Sequence, residues 1–409
     1  MLPLGADAGP EAASVRVRSN AEFAAAVAAL RYRGGTIHLR RHVYRGELVV
    51  PSRSRRPLRI VGERGVIVES LLLDHTQHVT VKRVTISPVT DDGWLKVYRS
   101  KHIELNDVLV TAAHTRFRAT VHIPNSSHVL IRNSEFRRCG DRSVLFSNCL
   151  HLQQRARHIT VENNLFHDCR GCDFIHGKFG YDLTIRGNRF ERALPCRMNR
   201  HRCGHQDLVS IWSGSKLLVE KNIFGVYRSG AAQLYLIGAV DRVRIVNNVF
   251  KGTDPRVPGY HARVAIIVGS KRMKRVPRRV RIVNNTILTG ARRIDGYAGS
   301  IRMSGVYWRM QRHKRPILAN NVLGLVEEPH YVCSVARLAV SNVVLRGSRC
   351  IGYNRLGPAH LDKSGRPTAA STLLIDNANR RLGTRVDFAG RLRDSWPDIG
   401  AYEYREAKS

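Results

Sequence analysis

The chain has 409 residues, 68 Lys and Arg against 32 Asp and Glu, and a formal net charge of +36. With 43% hydrophobic residues it can bury a large core, which excludes a disordered basic tail. No run approaches the roughly 20 consecutive apolar residues of a membrane helix, so no membrane span is expected. Arginine occurs in nearly every segment, not in one patch. The charge therefore leaves open either a polyanionic partner or an arginine-rich background. Aromatic residues make up only 7%, which makes nucleic acid the less favoured polyanion.

The opening residues Met1–Ala6 carry no basic stretch and no long apolar one. They imply a cytosolic chain or one whose signal peptide lies outside this sequence. Ser19-Asn20-Ala21-Glu22 reads as a capping box, followed by a helix whose Phe23, Val27 and Leu30 share one face. Gly34-Gly35 stops that helix, and Thr36–Leu39 begins a strand.

From there one pattern recurs: a short β-branched run, then Asn, then two or three apolar residues. Ile159–Phe166, Leu183–Phe190, Leu217–Phe224, Val243–Phe250, Val280–Ile287 and Ile317–Leu323 are the clear copies. Looser ones sit at Val79–Ile86, Ile103–Val110 and Val129–Phe136. The aligned residues are Asn164, Asn188, Asn222, Asn248, Asn285 and Asn321, at intervals of 24, 34, 26, 37 and 36 residues. Each run is too short for a helix and alternates with period two. The interval suits three strands per coil plus one loop that absorbs insertions. Aligned Asn side chains can stack at a bend, and Asn tolerates the left-handed conformation that bends use.

This pattern resembles the right-handed parallel β-helix of the pectate-lyase-like superfamily, as found in bacterial β-helix-repeat proteins, over about residues 36 to 345. The resemblance implies an all-β fold of three-strand coils closed by an asparagine ladder, with an N-terminal helix capping the open end. The tail Asp398-Ile399-Gly400-Ala401-Tyr402-Glu403-Tyr404 looks like a closing motif of such proteins. The expected organisation is a capping segment (1–35), the β-helix (36–352) and an irregular C-terminal extension (353–409).

Eight cysteines fall in close couples, and about 105 pairings are possible. Disulfides suit them better than metal, because no second Cys-x-x-Cys pair follows the first at finger-like distance. The expected links are Cys196–Cys203, Cys333–Cys350 and, across adjacent coils, Cys139 with Cys169. Such links would place the protein in an oxidising, extracellular compartment.

Carrying the repeat around each coil predicts an outward row of Ser143, Asp173, Asp207, Gln233 and Arg263 beside inward Val144, Phe174, Leu208, Leu234 and Val264. Stacked about 4.8 Å apart on a solvent-facing ledge, Asp173 and Asp207 would repel unless a proton, a cation or a base intervened. The pair could hold Ca²⁺ or divide into acid and base. The loop Cys196–Gln206 offers His205 as a titratable base, and Gly204–Trp212 resembles a His-x-Asp strand motif of carbohydrate-active β-helices. That motif usually has Gln where Ser210 stands. Lys178 could reach a substrate carboxylate, and Arg142, Gln233 and Arg263 flank the ledge as binding residues. His176 has inward parity and reads as a core histidine.

The resemblance implies a secreted, monomeric carbohydrate-active protein, a lyase or epimerase of an acidic polysaccharide. In that chemistry a cation or Arg neutralises the sugar carboxylate while His205 or Lys178 takes the adjacent proton. Hydrolysis by Asp173 and Asp207, and glycan or cell-surface binding without turnover, are the alternatives.

Overall fold

The computed structural model describes residues 13–51, 56–87, 94–111, 119–139, 147–153, 155–194, 207–225, 232–252, 263–270, 273, 275–288, 298–303, 307, 310–326, 335–347 and 354–406. Its one α-helix among these, Asn20–Leu30, begins as its sequence dictates. Ser19 Oγ accepts the Glu22 N–H at 3.2 Å, and Glu22 returns a carboxylate oxygen to the Arg18 N–H at 2.6 Å. Phe23, Ala26, Val27 and Leu30 are buried over the first coil, where Tyr44 donates its hydroxyl to the Val17 carbonyl.

Among the described residues the strands of the coils pair in parallel and form three faces around one core, and the antiparallel bridges Leu361–Pro367 and Val386–Leu392 fall in the C-terminal extension. The first face carries strands such as Gln77–Lys82, Lys101–Asn106, Ser127–Arg132 and Arg157–Glu162. The second holds the short strands after each asparagine, such as Glu135–Arg137 and Leu165–His167. The third carries Leu95–Tyr98, Val121–Pro124 and Ser147–Gln153. Three long strands, Cys172–Arg186, Val209–Glu220 and Ala232–Val246, bend from the third face onto the first. Identical residues stack at the pitch of the coil. Phe136, Phe166, Phe190, Phe224 and Phe250 form one internal column with ring centroids 4.4–5.1 Å apart. Fully buried Phe side chains contribute roughly 1.5–3 kcal/mol each.

The asparagine ladder runs from Asn164 through Asn188, Asn222, Asn248, Asn285 and Asn321 and continues to Asn342 and Asn354. Each amide donates to the Oδ1 of the next, at 2.9–3.1 Å. That same Oδ1 accepts the backbone N–H of the preceding rung. Left-handed conformation falls one residue earlier, at Asn163, Gly187, Lys221, Asn247, Asn284, Asn320 and Ser341, with φ of 50–65°. In the Asn-Asn doublets the two members thus divide the work: the first makes the bend and the second fills it.

In the last three doublets the first members, Asn247, Asn284 and Asn320, also face outward and hold the C-terminal extension. Asn247 Nδ2 donates to the Val386 carbonyl at 2.9 Å, and Asn284 Oδ1 accepts the Thr384 N–H at 3.0 Å. Asn320 exchanges two bonds with the Asn379 backbone, at 2.7 and 3.0 Å. The closing motif seats Ile399 and Ala401 against this corner, and Arg393 pairs with Glu403 at 2.7 Å where each side chain is 2% exposed. Replacing Asn320 with Ala removes two part-buried bonds and is expected to loosen the extension by about 1–2 kcal/mol. Faster proteolysis within residues 376–404, with the coils intact, is the measurement.

Disulfides link Cys139 to Cys149 and Cys169 to Cys172, with Cα separations of 5.0 and 6.0 Å. The expected Cys139–Cys169 bridge is therefore corrected. The two residues occupy equivalent positions, yet each finds a partner within its own turn, and Cys169 Sγ meets the Cys139 carbonyl of its neighbour, not the Cys139 sulfur. Cys196–Cys203 and Cys333–Cys350 lie outside the described residues. Titration of denatured, unreduced protein should leave at least four of the eight thiols unreactive.

Candidate active site on the third face

On the third face Leu95, Val121, Leu150, Ile175, Val209 and Leu234 stand in register and point inward. Alternation then sends the residue after each outward: Lys96, His122, His151, His176, Ser210 and Tyr235. These side chains form a continuous row. Trp94 stacks on His122 at 5.8 Å between centroids, His122 on His151 at 5.2 Å, and His151 meets His176 edge-on at 5.2 Å. Lys96 lies over both Trp94 and Tyr98, at 4.9 and 4.8 Å. His122 bonds Gln153 at 2.6 Å, and burial holds its pKa below the ordinary histidine value despite that bond.

Asp173 and Asp207 lie at the corner that leads onto this face, and they are buried, at 7% and 2% exposure. The expected solvent-facing ledge is therefore corrected. Asp173 Oδ1 accepts the Asp207 N–H and Asp207 Oδ1 accepts the Ala232 N–H, both at 2.8 Å. The two carboxylates thus act as rungs, as the asparagines do at their own corner. The register also differs from the expected row: Asn148, five residues beyond Ser143, pairs with Asp173, and Val209 pairs with Leu234, which sets Ala232 and not Gln233 level with Asp207. Gln233 consequently falls inside, fully buried, donating to the Gly225 and Phe224 carbonyls, and is a corner clamp and not an exposed binding residue. Arg142, Ser143 and His205 lie outside the described residues, as does the side chain of Arg263, whose backbone enters the strand Arg263–Val268.

Burial, reinforced by the nearby Asp173 charge, raises the Asp207 pKa well above the ordinary carboxylate value, while the Ala232 N–H opposes the shift. A carboxyl with a raised folded-state pKa stabilises the fold below its unfolded value of 3.8 and loses that contribution as pH rises through the folded value. Asp207→Asn keeps the acceptor for Ala232 and is expected to raise Tm at pH 8, with little change at pH 4. The pair does not fit Ca²⁺. Three carboxylate oxygens are already engaged, two by N–H donors that would face the cation, whereas Ca²⁺ takes six to eight oxygens.

The third engagement builds the site. Asp173 Oδ2 lies 3.0 Å from His176 Nδ1, so a buried carboxylate orients a half-exposed imidazole. His176 faces outward, contrary to its expected inward parity. The chain turns the corner with Phe174 and Ile175 both inside, their N–H groups sharing the Leu208 carbonyl at 3.1 Å, which inverts every later position. Trp212 lies 5.9 Å from the His176 ring and donates Nε1–H to Ser210 Oγ at 3.2 Å. The exposed Lys178 sets its ammonium 5.3 Å from the Trp212 ring. An oriented imidazole, a cation and an aromatic wall thus share one surface, a combination able to exchange a proton with an anionic ligand held there.

Sequence reasoning misses His122 and His151, although both stand on strands that alternate normally, and it misses Trp94, just before the strand Leu95–Tyr98, and Trp212, at a register shift between Ile211 and Ser213. His167 and Asp168 bond each other at 2.7 Å, with Glu135 and Arg192, on the second face away from this row.

No curated protein matches the chain. Among solved structures it is similar to a PL6 family polysaccharide lyase from Pseudopedobacter saltans, at 13% identity over 87% of this chain and 96% of that one, with a TM-score of 0.48. It is also similar to a surface adhesin of Streptococcus pneumoniae, at 13% identity over 80% of each chain and a TM-score of 0.48. With the pectate lyase Pel9A it shares 13% identity over 97% of this chain and 98% of that one, with a TM-score of 0.46. The family model described as a right-handed β-helix region matches residues 69–287, more than half of the sequence. With its parallel coils and asparagine ladder, the chain belongs to the right-handed β-helix family.

Proposed function

We propose that the protein is a secreted carbohydrate-active enzyme that cleaves an acidic polysaccharide by β-elimination on the third face. The observation that carries this reading is the Asp173–His176 pair set beside Lys178 and Trp212. In this reading Trp212 and Tyr235 bear the sugar faces, and Lys178 neutralises the uronate carboxylate, which acidifies the adjacent C–H. His176, with Nδ1 held by Asp173, takes that proton on Nε2. The C–O bond to the leaving sugar then breaks and a C=C bond forms, with the leaving oxygen taking a proton from solvent water and His176 later releasing its own. The net charge of +36 attracts such a substrate at long range. Hydrolysis by Asp173 and Asp207 is less well supported, because Asp207 is enclosed and its Oδ1 serves the backbone.

A panel of acidic polysaccharides tests the reading. Ultraviolet absorbance from an unsaturated product is the expected result. Reducing ends without that absorbance would identify hydrolysis, and binding without either product would leave a glycan-binding protein.

A further inference from the structure

A second row of imidazoles stands outside this site, at the corner where the third face passes into the first. His78, His102, His128 and His158 stack ring on ring, with centroids 4.6, 4.7 and 4.7 Å apart and interplanar angles of 5°, 29° and 24°. All four backbones are left-handed, with φ of 52–54°. That conformation is uncommon for residues with a side chain. It recurs here because each histidine is the second residue of its first-face strand, at the same register position, immediately before inward Val79, Ile103, Val129 and Ile159. His102 and His128, in the middle of the column, are exposed to solvent.

The charges around the column are one-sided. Lys101 and Arg157 flank it, and both oppose protonation of the histidines, as the histidines oppose one another. Its C-terminal end meets Tyr181, edge-on to His158 at 5.7 Å, and Asp182, 3.1 Å from His158 Nδ1. Asp182 already accepts Lys216 Nζ at 3.0 Å, and Lys216 and Arg242 lie over the Tyr181 ring. At the other end the register sets Pro57, which carries no charge, level with His78. Asp182 is thus the one carboxylate bonded to the column among the described residues. Protonating the stack creates like charges about one strand spacing apart that the protein does not compensate.

We propose that this column is a proton-gated binding site for a carboxylate-bearing polysaccharide, whose stacked rings become a regular ladder of imidazolium N–H donors when the bound polymer supplies their counter-charge. A polymer with one carboxylate per sugar, laid along the coil axis, supplies the missing counter-charge to several rings at once. Burial and the neighbouring cations lower the pKa of His102 and His128 in the free protein, so ligand binding must take up protons there. The choice of ligand rests on the reading of the third face. The column itself does not, and its binding requires no turnover.

Calorimetry of the Lys178→Ala protein, with cleavage silenced, tests the proposal using galacturonate oligomers in two buffers of different ionisation enthalpy. The expected result is proton uptake on binding, and at least about tenfold tighter binding at pH 5.5 than at pH 7.5. Both should be lost on adding His102→Asn and His128→Asn, since Asn tolerates the left-handed backbone. In the protein without these replacements, oligomer addition should raise the histidine pKa values read by NMR. Binding without proton uptake, a pH dependence unchanged by the double replacement, or equal binding of a short DNA duplex would overturn the site. Absence of any polysaccharide cleavage by the native protein, with proton-linked oligomer binding intact, would refute the third-face reading alone.

Discussion

Replacing His176 with Ala is expected to lower kcat on an acidic polysaccharide by about 10²–10⁴-fold, with KM nearly unchanged. The imidazole exchanges its proton only as the transition state forms, so its loss removes little ground-state binding. The circular dichroism spectrum should stay that of the native protein, because the side chain faces outward from the sheet. Lys178→Ala should act differently and raise KM as well, since the ammonium meets the substrate carboxylate before and during reaction. Asp173→Asn retains an acceptor for the Asp207 N–H and so tests orientation of His176 alone. It should reduce kcat less than His176→Ala and shift the pH profile. Chelator should leave activity unchanged, given how Asp173 and Asp207 are engaged. Full activity in both His176→Ala and Lys178→Ala would sink the third-face assignment.

The largest stability effect is expected at the middle of the asparagine ladder. Asn248 Oδ1 accepts both the backbone N–H and the amide of Asn222 at 3.0 Å, and its Nδ2 donates to Val219 and Asn285 at 2.9 Å. The residue is fully buried, so Asn248→Ala strands several polar groups where no water reaches. At about 1–3 kcal/mol for each unsatisfied group, a loss of roughly 3–5 kcal/mol is expected, read from denaturant midpoints. Asn163→Ala, one residue before a rung and exposed, is the control; it tests the left-handed bend alone and should cost about 1–2 kcal/mol. Equal losses at the two positions would mean that the bend, and not the ladder, carries the stability.

The fold was legible in the chain because its determinants are local and repeated. A β-branched run, an asparagine and a Phe or Ile recur at each coil, and stacking coils lets every copy bury the same face. The capping helix was equally plain, since Ser19 and Glu22 meet within one turn. The extension's attachment was not, because Asn320 and Asn379 lie 59 residues apart and meet only once the coils have formed. The site was legible in part. The proposed third-face site keeps Asp173 and Lys178 from the sequence reading, but the burial of Asp173 and Asp207 and the outward turn of His176 were decided at one corner. There the chain places Phe174 and Ile175 both inside, and strand parity, which has a period of two, cannot be carried across such a break. The two histidine rows have the same origin. Their members lie 24 to 30 residues apart in sequence, and only the register of neighbouring coils brings the rings within 4.6–5.2 Å. Composition and repeat thus determined that a β-helix forms, while the tertiary register decided which side chains share a surface, because lateral neighbours in a solenoid are set by loop lengths that the repeat leaves free.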